Sequence, residues 1–125
     1  MEKNKNSLLI FDNDAMCAVG NGTYKIDSIS IEEAKAIIEV FADVGVCGCY
    51  TDRMIDRVLT DYLHIDINKF EYEDIFHMEP GQSAIVFKRY FTPSETQPVT
   101  KTESGVEAKK IQNVYVYCEY INKLT

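Results

Sequence analysis

Hydrophobic positions along this chain follow two spacings, and each spacing predicts a different element. Short apolar runs rich in β-branched and aromatic residues are typical of buried strands. Five such runs lie at residues 8–11, 23–29, 44–50, 83–91 and 113–121. In the last of them Val114, Val116 and Cys118 alternate with Tyr115 and Tyr117. Because both faces of that strand are substantially apolar, it is predicted to lie inside a sheet or in a subunit interface.

The helical spacing occurs twice. Ser30 and Glu33 have the spacing of a capping box, which predicts the start of a first helix that ends near Asp43. A second helix is predicted over residues 52–63. The predicted buried positions are Ala34, Ile37, Ile38 and Phe41 in the first helix and Ile55, Val58, Leu59 and Tyr62 in the second. The opposite face of the second helix carries Arg53, Asp56, Arg57 and Asp61, which are interpreted as solvated charges.

These elements predict one α/β (α+β) domain spanning residues 1–125, with a mixed sheet of five or six strands and two main helices packed on it. The polar residues 1–6 are predicted to be a frayed N-terminus. Residues 92–109 are rich in Thr, Ser, Glu and Pro and are predicted to form a long flexible loop.

Composition narrows the function classes. The chain has a net charge of −7, which argues against binding of duplex nucleic acid because such binding depends on a basic face. No apolar run approaches the roughly 20 residues of a membrane span, so a cytoplasmic location is expected. The four cysteines lack the paired spacing of a zinc site and are interpreted as core residues. Neither a metal nor a cofactor is predicted.

The most informative chemistry lies where the strand at 44–50 meets the second helix. This turn contains Tyr50, Thr51, Asp52 and Arg53, and it lacks histidine. The N-terminus of a helix directs backbone N–H groups and a positive dipole end outward, which favours an anion. The turn is therefore a candidate ligand site.

Several phrases, taken in order, resemble the viral ring nuclease family of type III anti-CRISPR proteins, which degrade cyclic tetra-adenylate. The phrases run from Leu9-Ile10 to Asn13, through Gly22-Thr-Tyr24, residues 29–35, the Leu59-x-x-x-Leu63 helix end and residues 81–87, to Thr92-Pro-Ser-Glu95. The resemblance covers roughly residues 8 to 95. It implies a viral or mobile-element protein with an anti-defence role, and a homodimer whose cyclic nucleotide lies across the two-fold axis.

The chain departs from the family at the residues that perform the reaction. The family's catalytic histidine falls on Asp52, and its late arginine falls on Thr92. The nearest counterpart of its phosphate-binding Asn-Arg pair is Asn68-Lys69, displaced by about two positions. An aspartate with an ordinary pKa of about 4 is a poor acid for an alkoxide leaving group. The resemblance with these losses predicts a non-catalytic protein that recognises or sequesters a cyclic nucleotide-type immune signal.

No catalytic residue is assigned in this interpretation. The candidate ligand-binding residues are Asn13, Tyr50, Thr51, Asp52, Arg53, Lys69, Lys88 and Arg89. One alternative is an active phosphodiesterase that uses Asp52, Tyr50 or His64 in a rearranged site. Another is an acidic inhibitor that binds a host defence protein through Asp66, Glu71, Glu73, Asp74 and Glu79.

Overall fold

The computed structural model describes residues 7–12, 21–50, 52–73, 78–90, 109–111 and 114–125. Predictions for residues 1–6, for Asn13, for Cys17, for Thr51 and for most of the 92–109 loop concern residues outside these ranges. Lys109, the last residue of the predicted loop, already belongs to a strand.

The described residues form one mixed sheet with a parallel centre. Its strands are β1 (Leu8–Phe11), β2 (Tyr24–Ile29), β3 (Val46–Gly48), β4 (Glu71–Tyr72), β5 (Ser83–Tyr90), β6 (Lys109–Ile111) and β7 (Val114–Lys123). The strand order is β2-β7-β5-β1-β3-β4, and the short β6 pairs with β7. β1 is parallel to β3 and β5, and β3 is parallel to β4. β7 is antiparallel to β2, β5 and β6.

This arrangement confirms the predicted α/β class with a mixed sheet. β7 also lies inside the sheet, as its two apolar faces predicted. The additional strand is β6, which the polar composition of residues 92–109 did not indicate. Tertiary pairing with β7 gives those three residues their extended conformation.

The first helix, α1 (Ile31–Val40), begins with the predicted capping box. The Ser30 hydroxyl accepts a hydrogen bond from the Glu33 backbone N–H at 3.0 Å, and the Glu33 carboxylate accepts one from the Ser30 N–H at 2.9 Å. The helix ends at Val40, before the predicted end near Asp43. Gly45, at φ 132°, closes the following turn by donating its N–H to the Phe41 carbonyl at 2.8 Å.

The second helix changes its geometry halfway. An α-helical segment, α2 (Met54–Arg57), continues directly into a π-helix, Val58–Tyr62. Ile55, Val58 and Leu59 are buried as predicted, but Tyr62 is 40% exposed. The wider π turn, with a hydrogen bond from the Leu63 N–H to the Val58 carbonyl, rotates Tyr62 away from the core. The prediction of a uniform 3.6-residue period was therefore wrong at this end of the helix.

Both faces of the sheet are buried around β1. Leu8 and Ile10 face the helices, whereas Leu9 and Phe11 face the other side, and none of the four is more than 1% exposed. Such double burial explains the continuous apolar run in the sequence. Cys47, Cys49 and Cys118 are buried, which confirms their interpretation as core residues. Burial raises the pKa of the Cys118 thiol far above its ordinary value.

Parallel pairing brings the carboxyl ends of β1, β3 and β4 to the same edge of the sheet. Asp12 follows β1, Tyr50 follows β3 by two residues, and Glu73 follows β4. This edge is where open α/β sheets bind ligands. No helix within the described ranges is long and apolar enough to cross a bilayer.

Candidate functional site

A cleft of about 270 Å³ opens at the carboxyl ends of β3 and β4, and we call it the carboxyl-end cleft. Its lining residues are Gly48, Tyr50, Arg53, Tyr72 and Glu73. The sequence placed Tyr50 and Arg53 in one turn. The tertiary structure adds the two residues from β4 and its end.

A hydrogen-bonded network built on Asp56 fixes the shape of this cleft. The buried Tyr50 hydroxyl donates to Asp56 Oδ1 at 2.5 Å, and the Tyr72 hydroxyl lies 3.5 Å from the same oxygen. Arg53 Nη2 lies 2.7 Å from Asp56 Oδ2, so both carboxylate oxygens have partners. The rings of Tyr50 and Tyr72 meet edge to face at a centroid distance of 5.9 Å.

Burial, followed by the hydrogen bond to Asp56, raises the pKa of Tyr50 far above its ordinary value. Both causes favour the neutral phenol, because an anion would lose hydration and would face a carboxylate. Tyr50 is therefore protonated at neutral pH and serves as a hydrogen-bond donor. It cannot act as a general base under those conditions.

Gly48 is required for the close approach of the two tyrosine rings. A Cβ atom at this position would lie 2.7 Å from Cε1 of Tyr72 and 3.1 Å from Cε1 of Tyr50. Contacts this short exclude any larger side chain unless Tyr72 moves. Gly48 at the end of β3 therefore determines the position of the Tyr72 ring, which forms one wall of the cleft.

The backbone donors at the strand-to-helix turn are occupied by carboxylates of the chain itself. Asp12 Oδ2 accepts from the Asp52 N–H at 2.9 Å, and Asp12 is only 3% exposed. Asp52 Oδ1 in turn accepts from the Met54 N–H at 3.0 Å. These carboxylates stand where an external anion would bind a helix start. Asp52 thus accepts a hydrogen bond from the first residue of α2, and the turn offers these two donors to no ligand.

The structure separates the predicted ligand-binding residues. Lys88 lies on the sheet face away from the helices, where its Nζ is 2.7 Å from Glu119 Oε1 and 6.0 Å from the centre of the Tyr117 ring. The backbone of Arg89 pairs with Val116 in the ladder between β5 and β7. Lys88 is not among the described residues that line the carboxyl-end cleft. Asn13 and Thr51 are outside the described residues.

Lys69 lines a second cavity of about 220 Å³, which we call the amino-side pocket because it opens beside the first residue of β3. Its lining residues are Ile38, Glu39, Ala42, Val46, His64, Ile65, Asp66, Lys69 and Phe70. His64 adopts a left-handed backbone conformation with φ 57°, which is uncommon for a residue other than glycine. His64 and Lys69 thus line the same pocket. Tyr50 lines the carboxyl-end cleft, at the other end of β3.

Sequence reasoning missed Asp56 and Tyr72 as site residues. Asp56 belongs to the helix face that was interpreted as solvated, but its side chain is only 14% exposed. The available signal was the position of Asp56 six residues after Tyr50. A strand-to-helix turn followed by the first turn of the helix can bring two such residues together. Tyr72 had no local signal, because only the parallel pairing of β3 with β4 brings it beside Gly48.

A metal site receives no support at this cleft. Within the ranges that the structure describes, no cluster of three or more His, Cys, Asp or Glu side chains could hold an ion. The sulfur atoms of Cys47 and Cys49 lie 4.0 Å apart, and Glu73 Oε2 lies 4.0 Å from the sulfur of Cys47.

Comparison with known proteins finds no protein-family model that matches this chain and no curated protein with significant similarity. The resemblance to the viral ring nuclease family therefore stays a prediction from the sequence phrases.

Proposed function

We propose that this chain is a binding protein that holds a nucleotide-type ligand in the carboxyl-end cleft without cleaving it. The observation that carries the proposal is the half-exposed ring of Tyr72, 45% exposed, beside Arg53 and Glu73. An accessible aromatic ring offers a stacking surface to a nucleobase. A guanidinium pairs with phosphate, and a carboxylate accepts from the amino groups of bases.

The dimensions of the cleft suit one nucleotide unit. Its volume of about 270 Å³ is close to the lower end of the range for small-molecule sites, which begins at about 300 Å³. A cyclic oligonucleotide would place one base in the cleft and leave the remaining units outside it. The proposed ligand class is the cyclic nucleotide-type immune signal that the family resemblance implies, sequestered in the host cytoplasm as an anti-defence measure.

Charge around the cleft sets the manner of binding. Arg53 is paired with Asp56 at 2.7 Å, but its side chain is 78% exposed. The guanidinium can turn toward a phosphate because Tyr50 and Tyr72 also contact Asp56, so this carboxylate keeps hydrogen-bond partners when Arg53 moves. The buried carboxylates of the turn disfavour deep entry of phosphate, and the proposed pose therefore puts the base inward and the phosphate outward.

The groups that a phosphodiesterase would need have other roles here. Tyr50 is held in its protonated form, and the Asp52 carboxylate accepts a hydrogen bond from the Met54 N–H. His64 follows the far end of the second helix and lines the amino-side pocket. These contacts support recognition rather than phosphoryl chemistry.

Isothermal titration calorimetry tests the proposal with adenosine and guanosine monophosphates, cyclic dinucleotides and cyclic tetra-adenylate as probes. Tyr72→Ala and Arg53→Ala should each weaken binding about tenfold or more, since stacking on one base contributes about 1 to 3 kcal/mol. Tyr62→Ala and Arg57→Ala are matched controls, because they remove an exposed tyrosine and an exposed arginine outside the cleft. Both controls should bind like the unmodified protein.

Uniform absence of heat with every nucleotide would refute the proposal. Linear products after incubation with cyclic tetra-adenylate would instead support the phosphodiesterase alternative. Equal weakening by Tyr62→Ala and Tyr72→Ala would place the ligand elsewhere.

A protein partner is the second candidate, and the exposed edge strand β4 favours it. Glu71 and Tyr72 are both exposed on that strand, and Asp66 lies exposed shortly before it. A basic partner would complement this surface. Glu71→Lys should abolish capture of such a partner while leaving nucleotide binding intact.

A further inference from the structure

The opposite edge of the sheet has a sequence that complements itself. β2 ends the strand order, and among the described strands it pairs only with β7. Its residues Lys25, Ile26 and Asp27 are exposed, and Ile26 is 49% exposed. No described strand lies beside the outer side of Lys25, Ile26 and Asp27, and such an edge can pair with another strand.

Charge selects both the partner and the register. If a second copy pairs its β2 antiparallel about a two-fold axis at Ile26, Lys25 of each copy lies opposite Asp27 of the other. Ile26 then lies opposite Ile26, and Tyr24 opposite Ser28. Side chains directly opposite one another in an antiparallel pair have Cβ atoms about 4.5 to 5.5 Å apart, within reach of an ion pair.

The neighbouring two-fold registers are unfavourable. An axis at Lys25 would place two lysines opposite each other, and an axis at Asp27 would place two aspartates opposite each other. Directly opposed like charges destabilise a strand pair. Within one chain Lys25 Nζ and Asp27 Oδ2 are 4.0 Å apart, with side chains 66% and 50% exposed, so this weak contact does not prevent pairing with a second copy.

We propose that β2 is a self-association edge, through which two copies of this chain pair antiparallel in register about Ile26. The two sheets then become one continuous sheet with a symmetric, isologous contact. β4, which carries the carboxyl-end cleft, lies at the other end of the strand order. Each cleft is thus lined by residues of one chain and stays distant from the axis, in contrast to the shared pocket that the family resemblance implies.

Sedimentation velocity over a wide range of protein concentration tests this interface. An edge-to-edge contact of this length is smaller than the roughly 1,200 Å² of stable interfaces, so the dimer should dissociate on dilution. Lys25→Asp and Asp27→Lys each place like charges opposite one another twice, and each should weaken the dimer about tenfold or more. The exchange variant, Lys25→Asp with Asp27→Lys, should restore it.

Mixing the two single variants gives the sharpest result. A Lys25→Asp chain and an Asp27→Lys chain are complementary at both contacts, so the mixture should form heterodimers although each variant alone does not. Circular dichroism of each variant verifies that it is folded. A monomeric unmodified protein at every concentration, or single variants that dimerise as well as it does, would overturn the proposal.

Discussion

Two cavities open at opposite ends of β3, and their construction differs. In the carboxyl-end cleft the polar groups bond to one another, with Asp56 joining Tyr50, Tyr72 and Arg53. In the amino-side pocket the floor is apolar, formed by residues such as Ile38 and Val46, and the charged residues stand around an open rim.

Specificity for a ligand requires donors and acceptors that are held in fixed positions. A connected polar network fixes the positions of its members, so a ligand meets preorganised donors and acceptors. An apolar depression with exposed charges at its rim can match the shape of a ligand but has few fixed polar groups to orient it. The sequence predicted Tyr50, Arg53 and Lys69 as parts of one ligand site, whereas the structure places Lys69 in a different cavity from the other two.

Of the substitutions that compare the two cavities, a larger side chain in the carboxyl-end cleft should change the free energy of unfolding most. Gly48→Val would force Tyr72 away from Tyr50 and should lower the free energy of unfolding by about 2 to 3 kcal/mol. Ala42→Val adds two methyl groups at the exposed rim of the amino-side pocket and should change stability by about 0.5 kcal/mol or less. Urea unfolding measures both values. Equal losses of stability would show that the Tyr72 ring does not restrict the size of the side chain at position 48.

Removing the hydroxyl group of Tyr50 should have the next largest effect. Tyr50→Phe loses a hydrogen bond to a carboxylate and should cost about 1.5 kcal/mol at neutral pH. The pKa of Tyr50 is raised in the folded protein, so its contribution is fully present below about pH 10 and is lost as pH rises further, because only the unfolded chain ionises there.

The pH dependence separates this effect from a simple loss of packing. Above about pH 10, the free energy of unfolding should fall about 1.4 kcal/mol per pH unit more steeply for the unmodified protein than for Tyr50→Phe, and between about pH 8 and 10 the two slopes should agree. Tyr62→Phe, at an exposed tyrosine, should leave the slope unchanged. Identical slopes for the unmodified protein and Tyr50→Phe would contradict the assignment of a protonated, buried phenol.

The smallest effect is expected in the amino-side pocket. His64→Gly relieves a left-handed backbone conformation and should stabilise the protein by about 0.5 kcal/mol, after the entropy of the unfolded glycine is subtracted. His64→Ala keeps the strain and should bring no gain. Destabilisation by His64→Gly would show that the imidazole itself makes a contact that holds this pocket.

The sequence predicted those parts of the fold that depend on neighbours along the chain. The capping box at Ser30, the doubly buried run of β1 and the extended segment before α1 were all confirmed. The predictions failed where the conformation depends on more than the local sequence pattern. Tyr62 left its predicted face because the helix widened, and β6, which shares only Lys109 with the predicted loop, formed because β7 supplied its hydrogen bonds.

The candidate site shows the same division. The sequence alone determined that a strand enters a helix at Tyr50, with Arg53 in the turn and no histidine, because that junction is contiguous in the chain. Tertiary structure decided which groups face it: Asp12 and Asp52 occupy the backbone donors, and Tyr72 arrives from β4. Pairing between strands that are distant in sequence cannot be read from local spacing, since residues far apart in the chain become neighbours only when the sheet assembles.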